Sequence, residues 1–148
     1  MKFQIITLFP EMFTPLEHSI IGRAQRDNLC EWRLFQLRDY AINKHGQVDD
    51  TPYGGEAGMV IRPEPLAAAI RDTEPADEVM LLTPPGQTFT QADAKELATK
   101  KSLTFVCGHY KGIDERIRKK FITKEYSIGD YVLTCLLYTS DAADDGLS

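Results

Sequence analysis

Three short segments of this chain have the composition of a ligand-binding loop, and each follows or continues a stretch typical of a strand. They are Thr83–Gly86, Gly108–Gly112 and Ser127–Leu133. Each contains a glycine, which lets a ligand approach the backbone closely. Binding sites of this kind combine such backbone groups with apolar side chains. The sequence therefore predicts one small-molecule site built from three segments.

The glycine spacing excludes the common phosphate-binding loops. The close glycine groups are Gly54-Gly55-x-x-Gly58 and Gly108-x-x-x-Gly112, and neither opens a helix as a dinucleotide-binding fingerprint does. No Walker A pattern occurs in the sequence. The ligand is therefore expected to bind without a phosphate cradle.

Short apolar segments alternate with helical patterns along the chain, which predicts an α/β domain with a mostly parallel sheet and flanking helices. In such sheets, ligands bind beyond the carboxyl ends of the strands, where the three segments should meet. The polar segment Asp39–Met59 is expected to be a loop that is either functional or mobile. The predicted strands are Phe3–Phe9, Trp32–Leu37, Val79–Leu82 and Leu103–Cys107, and the predicted helices are 14–28, 64–71, 90–100 and one with Ile113, Ile117 and Phe121 inward.

Two of these helices carry explicit start signals. Thr90 with Asp93 three residues later predicts an N-cap. Thr14, Pro15 and Glu17 form a second candidate start, with Thr14 as N-cap, Pro15 at the first helical position and Glu17 completing a capping box. In that first helix, Ile20, Ile21 and Ala24 are expected to face inward.

Composition is that of a soluble globular protein of one domain. The chain has 148 residues, of which 43% are hydrophobic and 26% charged, and it lacks an apolar run long enough to span a bilayer. The amino-terminal residues do not form a signal peptide pattern, and three cysteines share no metal-ligand spacing. We therefore expect a cytoplasmic protein with no membrane association and no metal site.

The net charge of −5 is concentrated at one end of the sequence. Without residues 135–148 the chain has 19 acidic and 17 basic side chains, which is nearly neutral. Net charge therefore decides little about nucleic-acid binding, and the placement of basic patches matters more.

Four sequence motifs, in this order and spacing, carry a resemblance to a known family. They are ITLFPEMF at Ile6–Phe13, VDDTPYGGEAGM at Val48–Met59, VCGHYKGIDER at Val106–Arg116 and YSIGDYVLT at Tyr126–Thr134. Over residues 1–134 the chain resembles the bacterial tRNA (guanine-N(1)-)-methyltransferase family. The resemblance implies a SPOUT-type domain with a deep trefoil knot that works as a homodimer. It also implies that S-adenosylmethionine is the cofactor and that the substrate is the guanosine 3′ of the tRNA anticodon.

The resemblance also implies roles for individual residues. Asp49 is a possible support for catalysis, while the family's general base and an essential arginine lie beyond residue 134. Two departures from the family pattern are Lys111 and Glu56. Positions matching the family's RNA-binding residues are Arg23, His45, Asp49 and Gly58. Positions matching its cofactor-binding residues are Leu82, Thr83, Pro84, Gly108, Ile128, Gly129, Asp130, Tyr131, Val132 and Leu133.

From Cys135 onward the sequence departs from the family, which continues there with Gly-Gly-Glu-Leu. We interpret residues 135–148 as a non-native tail that leaves the knot incomplete and the chain nearly inactive. Residues 138–148 hold few large apolar groups and three aspartates, so the tail is expected to be disordered. Two other functions stay open: a related SPOUT methyltransferase acting on ribosomal RNA, and a non-catalytic RNA-binding module that has lost its cofactor.

Overall fold

A five-stranded, all-parallel sheet in the order β2-β1-β6-β5-β7 forms the centre of the fold. The computed structural model describes residues 1–41, 49–50, 60–107 and 113–127. The sheet strands are β1 (Lys2–Thr7), β2 (Glu31–Gln36), β5 (Glu78–Thr88), β6 (Ser102–Val106) and β7 (Lys124–Ser127). The α-helices are α1 (Ser19–Arg26), α2 (Pro63–Asp72), α3 (Gln91–Ala98) and α4 (Glu115–Phe121). Two 3-10 helices (Pro10–Glu17 and Leu37–Tyr40) and an antiparallel pair, β3 (Asp49–Asp50) with β4 (Val60–Ile61), complete these elements. The predicted α/β class with a parallel sheet is confirmed.

Alternating side chains of the strands build a core on each face of the sheet. On one face, Ile6 and Val106 pack with Leu66 of α2 and Ile117 of α4. On the other face, Met80, Leu103 and Tyr126 pack with Leu97 of α3. The two helix layers therefore cover opposite faces, with α2 and α4 on one side and α3 on the other. Within the described residues, no helix is both long and apolar enough to cross a bilayer.

The polar side chain of Gln4 lies inside this core and has hydrogen-bond partners at both ends. Its amide nitrogen donates to the carbonyl oxygen of Glu74 at 2.8 Å and to the Thr104 hydroxyl at 3.2 Å. Its amide oxygen accepts from the Glu74 backbone N–H at 2.8 Å. A buried amide without partners would be costly, and this network satisfies the Gln4 side chain. The two hydrogen bonds with Glu74 also hold the loop before β5 against β1.

The capping signal at Thr90 and Asp93 is confirmed. The Asp93 carboxylate accepts from the Thr90 backbone N–H at 2.9 Å, and the Thr90 hydroxyl accepts from the Asp93 N–H at 3.3 Å. These bonds satisfy two groups that the helix start would otherwise leave without partners.

The predicted start of the first helix is wrong. Thr14 and Pro15 lie inside the 3-10 helix, and the Thr14 hydroxyl donates to the Glu11 carbonyl. His18 is extended, and α1 begins only at Ser19. The face of α1 turned inward is that of Gly22, where an added Cβ would lie 2.1 Å from the Glu17 carbonyl oxygen.

Because Gly22 occupies that inward face, the predicted burial of two neighbouring isoleucines is also wrong. Ile20 is 83% exposed and Ile21 is 38% exposed. Ala24 is half-buried.

The strands around the predicted site are longer and more numerous than the sequence predicts. The predicted strand Val79–Leu82 continues to Thr88, so Thr83–Gly86 interrupts a strand rather than ending it. The short strand β7 and the β3–β4 pair were not predicted. The expectations for the tail and the incomplete knot concern residues 128–148, which lie outside the described residues.

Candidate functional site

Two of the predicted ligand segments begin at the carboxyl ends of β6 and β7, and the third begins where β5 leaves its regular pairing with β7. Leu81 of β5 pairs with Val106 of β6 on one side and with Glu125 of β7 on the other. Because the strands are parallel, the segments that follow these residues leave the same edge of the sheet. β5 is the middle strand, so its residues Leu82 and Thr83 lie between the other two ends.

The first segment is an excursion out of the β5–β7 ladder. Leu82 and Gln87 both pair with Tyr126, so the four residues between them have no paired residue on β7. Leu82 and Thr83 are half-buried, and Leu82 packs against the core cluster of Tyr126. This arrangement provides an apolar side chain beside peptide groups that lie outside the regular pairing of the ladder.

Tyr126 lies next to both ends of this excursion, since Leu82 and Gln87 pair with it. Its side chain is only 2% exposed, and its ring meets the Phe89 ring edge-on at a centroid distance of 5.1 Å. The Phe89 N–H donates to the Ser127 carbonyl at 2.8 Å and returns the excursion to β7. Burial raises the pKa of the Tyr126 phenol, so it stays neutral and serves packing at ordinary pH.

Asp49 belongs to a hairpin that reaches the same edge of the sheet. Asp49 pairs with Ile61, and Ile61 forms a parallel bridge with Ile113. Ile113 follows the Gly108–Gly112 segment directly and precedes the α4 cap, Asp114. The backbone of Asp49 is therefore connected through Ile61 to Ile113, and Ile61 packs in the same core cluster as Val106 at the end of β6.

Arg23 is not brought to these strand ends. It is exposed on α1, in the connection between β1 and β2. β2 is the edge strand opposite β7, with β1 and β6 lying between β2 and β5. The predicted residues His45, Gly58, Gly108 and Ile128–Leu133 lie outside the described residues, and for Pro84 only the backbone is described.

Comparison with known proteins supplies a decisive observation. The family model of the tRNA (Guanine-1)-methyltransferases matches residues 1–138. The chain belongs to this family. The sequence predicts that the domain ends at residue 134, and the family match ends four residues later. The domain boundary itself stays a prediction.

Curated relatives of this methyltransferase family share about half of their residues with the chain. The tRNA (guanine-N(1)-)-methyltransferase of Chloroflexus aggregans is 55% identical over 139 residues, covering 90% of this chain and 54% of that relative. Those of Clostridium beijerinckii and Bacillus cereus (strain AH820) are each 52% identical, over 136 and 139 residues, covering 90% of this chain and 56% and 57% of those relatives. The chain thus spans about half the length of the curated relatives it matches.

In this methyltransferase-family chain, Arg118 links α4 to β7. Its guanidinium Nε lies 2.9 Å from a Glu125 carboxylate oxygen, and Nη1 lies 3.3 Å from Glu115. Glu115 opens α4, shortly after Gly108–Gly112, whereas Glu125 precedes Ile128–Leu133 by three residues. The contact with Glu125 depends on tertiary structure, so no local sequence signal marks Arg118.

Proposed function

We propose that this chain provides the cofactor-binding part of a tRNA (guanine-N(1)-)-methyltransferase. The reaction transfers a methyl group from S-adenosylmethionine to ring nitrogen 1 of the guanosine 3′ of the tRNA anticodon. The observation that carries the proposal is that, in a chain of this family, the excursion after Leu82 of β5 lies next to the ends of β6 and β7. We further propose that the working form is a cytoplasmic homodimer.

The described residues fit the proposed cofactor. The half-buried Leu82 offers an apolar surface for an adenine ring, and the Thr83–Gly86 excursion offers peptide groups outside the ladder. We assign binding to Leu82, Thr83, Pro84 and Gly108, together with Ile128, Gly129, Asp130, Tyr131, Val132 and Leu133. When bound, S-adenosylmethionine supplies an electrophilic methyl group on a sulfonium.

The remaining residues of the proposal act on the RNA. Ring nitrogen 1 of guanine carries a proton at neutral pH, so methylation needs a base to remove that proton and a placement in line with the methyl group. We assign Asp49 to positioning the target base, since its backbone is fixed near the end of β6. Arg23, His45 and Gly58 are assigned to RNA contacts.

A chimera tests this function. Residues 1–134 are joined to the remaining half of the Chloroflexus aggregans relative, and methylation of a tRNA transcript is measured for the chimera and for the 148-residue chain. We expect the chimera to methylate the transcript and the chain alone to show weak cofactor binding by calorimetry and little turnover. A transcript with adenosine at the target position is the substrate control.

Two outcomes contradict the proposal. A folded chimera that binds S-adenosylmethionine but leaves the guanosine unmodified would rule out the assigned reaction. Robust turnover by the 148-residue chain alone would show that the base is already within it.

A further inference from the structure

Two cations lie against one aromatic ring where α2 and α4 meet. The guanidinium carbon of Arg71 is 5.4 Å from the centroid of the Phe121 ring, and the Lys120 ammonium is 5.5 Å from the same centroid. Both charged side chains belong to exposed residues. We name Arg71, Lys120 and Phe121 the basic cluster.

The acids nearest the basic cluster along the chain have hydroxyl partners: the Asp72 carboxylate accepts from the Tyr40 hydroxyl, and the Glu78 carboxylate accepts from the Thr123 hydroxyl. None of the ion pairs formed among the described residues includes Arg71 or Lys120. The ion pairs that involve α4 are Asp114 with Arg116 at its N-terminus, and Glu115 and Glu125 with Arg118. Two like charges near one ring repel each other, and an anion placed between them would relieve that repulsion.

The basic cluster and the candidate site lie at opposite ends of the same helices. α4 begins beside the carboxyl edge of the sheet and ends at Phe121, and Thr123 then donates its N–H to Val79 near the start of β5. Seven helical residues span about 10 Å. An RNA that reaches the strand ends can therefore run along α2 and α4 to the basic cluster.

We propose that the basic cluster binds the phosphate backbone of the RNA substrate, away from the methylated base. This inference rests on the proposed function, which supplies an RNA as the substrate. Arg offers a planar donor fork for phosphate and Lys a point charge, and neither reads base sequence from this position. Its contribution is general affinity that decreases with salt.

Salt-dependent RNA binding tests the proposal on the 148-residue chain. Affinity for a labelled anticodon stem-loop is measured by fluorescence anisotropy over a range of salt concentrations. The Arg71→Gln/Lys120→Gln variant should reduce the slope of log affinity against log salt by about 1.4 to 1.8, which corresponds to two lost phosphate contacts. The loss should be equal for a stem-loop of unrelated sequence.

A matched variant controls for the loss of two charges. Lys95→Gln/Lys100→Gln removes the same charge from α3 and from the residues just after it, on the opposite face of the sheet, and should leave the slope unchanged. Lys120→Gln alone should reduce the slope by about 0.7 to 0.9. Circular dichroism confirms that each variant is folded.

Several results would overturn the inference: an unchanged slope in the folded double variant, an equal loss in the α3 control, or no measurable RNA binding at low salt. Failure of the proposed function is a different result, because it is seen as absent methyl transfer by the chimera. A reduced slope without methyl transfer would therefore keep the phosphate surface and reject the reaction.

Discussion

Gly86 and Tyr126 meet backbone to backbone. A Cβ placed on Gly86 would lie 2.9 Å from both the amide nitrogen and the carbonyl carbon of Tyr126, and 2.9 Å from the carbonyl carbon of Glu125. Only a residue without a side chain lets the excursion return to β7 at this distance. The contact therefore sets the position of the strand that leads into Ile128–Leu133.

Gly86→Ala should push β7 away from β5. We expect a loss of about 1–3 kcal/mol in the free energy of unfolding, since backbone cannot move aside as a flexible side chain can. We also expect weaker binding of S-adenosylmethionine, measured by calorimetry. Gln91→Ala, at the exposed first position of α3 and outside the ligand segments, is the control and should leave both quantities nearly unchanged.

Arg118→Gln should affect the ligand segments more than stability. Partly exposed ion pairs contribute only about 0–1 kcal/mol each, so the melting temperature should change little. Amide exchange at Glu125–Ser127 should become faster, because β7 loses its link to α4. Lys119→Gln removes the same charge from an exposed neighbour that forms no ion pair among the described residues. Equal exchange rates in the two variants would contradict this role.

Gly22→Ala should destabilise the protein although alanine is the better helix former. The substitution normally stabilises a helix interior by about 1 kcal/mol, but here the new methyl would overlap the Glu17 carbonyl oxygen at 2.1 Å. Urea unfolding should show a lower midpoint than for Arg23→Ala, an exposed change on the same helix. A midpoint raised by Gly22→Ala would show that α1 does not pack this closely.

The capping box of α3 should contribute to stability above about pH 4. The Thr90 side-chain and backbone hydrogen bonds hold the pKa of Asp93 below its usual value of about 3.9. The unfolded chain therefore binds the proton more readily, and this contribution disappears as pH falls through the lower, folded-state pKa. Asp93→Asn should flatten the pH dependence of urea unfolding in this range. Asp27→Asn, exposed after α1, is the charge-matched control.

Local sequence signals predicted those parts of the fold that depend on neighbouring residues. The Thr90 and Asp93 cap was predicted because both partners lie within one helical turn. The parallel sheet followed from apolar segments alternating with helices. The adjacency of β5, β6 and β7 is consistent with the predicted convergence of three segments, whereas the individual ligand contacts stay predictions.

The errors arose where tertiary contacts override a local signal. Thr14, Pro15 and Glu17 match a helix start, but the chain there forms a 3-10 helix on which Gly22 packs. The burial of Ile20 followed from hydrophobicity alone and was wrong because the inward face belongs to Gly22. The ion pair of Arg118 with Glu125 likewise depends on the placement of β7 beside α4, so no local signal marks it.

The position of β1 in the sheet has a consequence for synthesis of the protein. Lys2 of β1 pairs with Ser102 of β6, a partner that the ribosome adds only after 99 intervening residues. At about 5–20 residues per second, β1 waits roughly 5–20 s for this neighbour and meanwhile has only β2 beside it. Closing the sheet is therefore a late event of high contact order, and such topologies fold slowly. An emerging chain exposes that edge of β1 throughout the interval, so the nascent chain is more prone to edge-to-edge association than the folded protein.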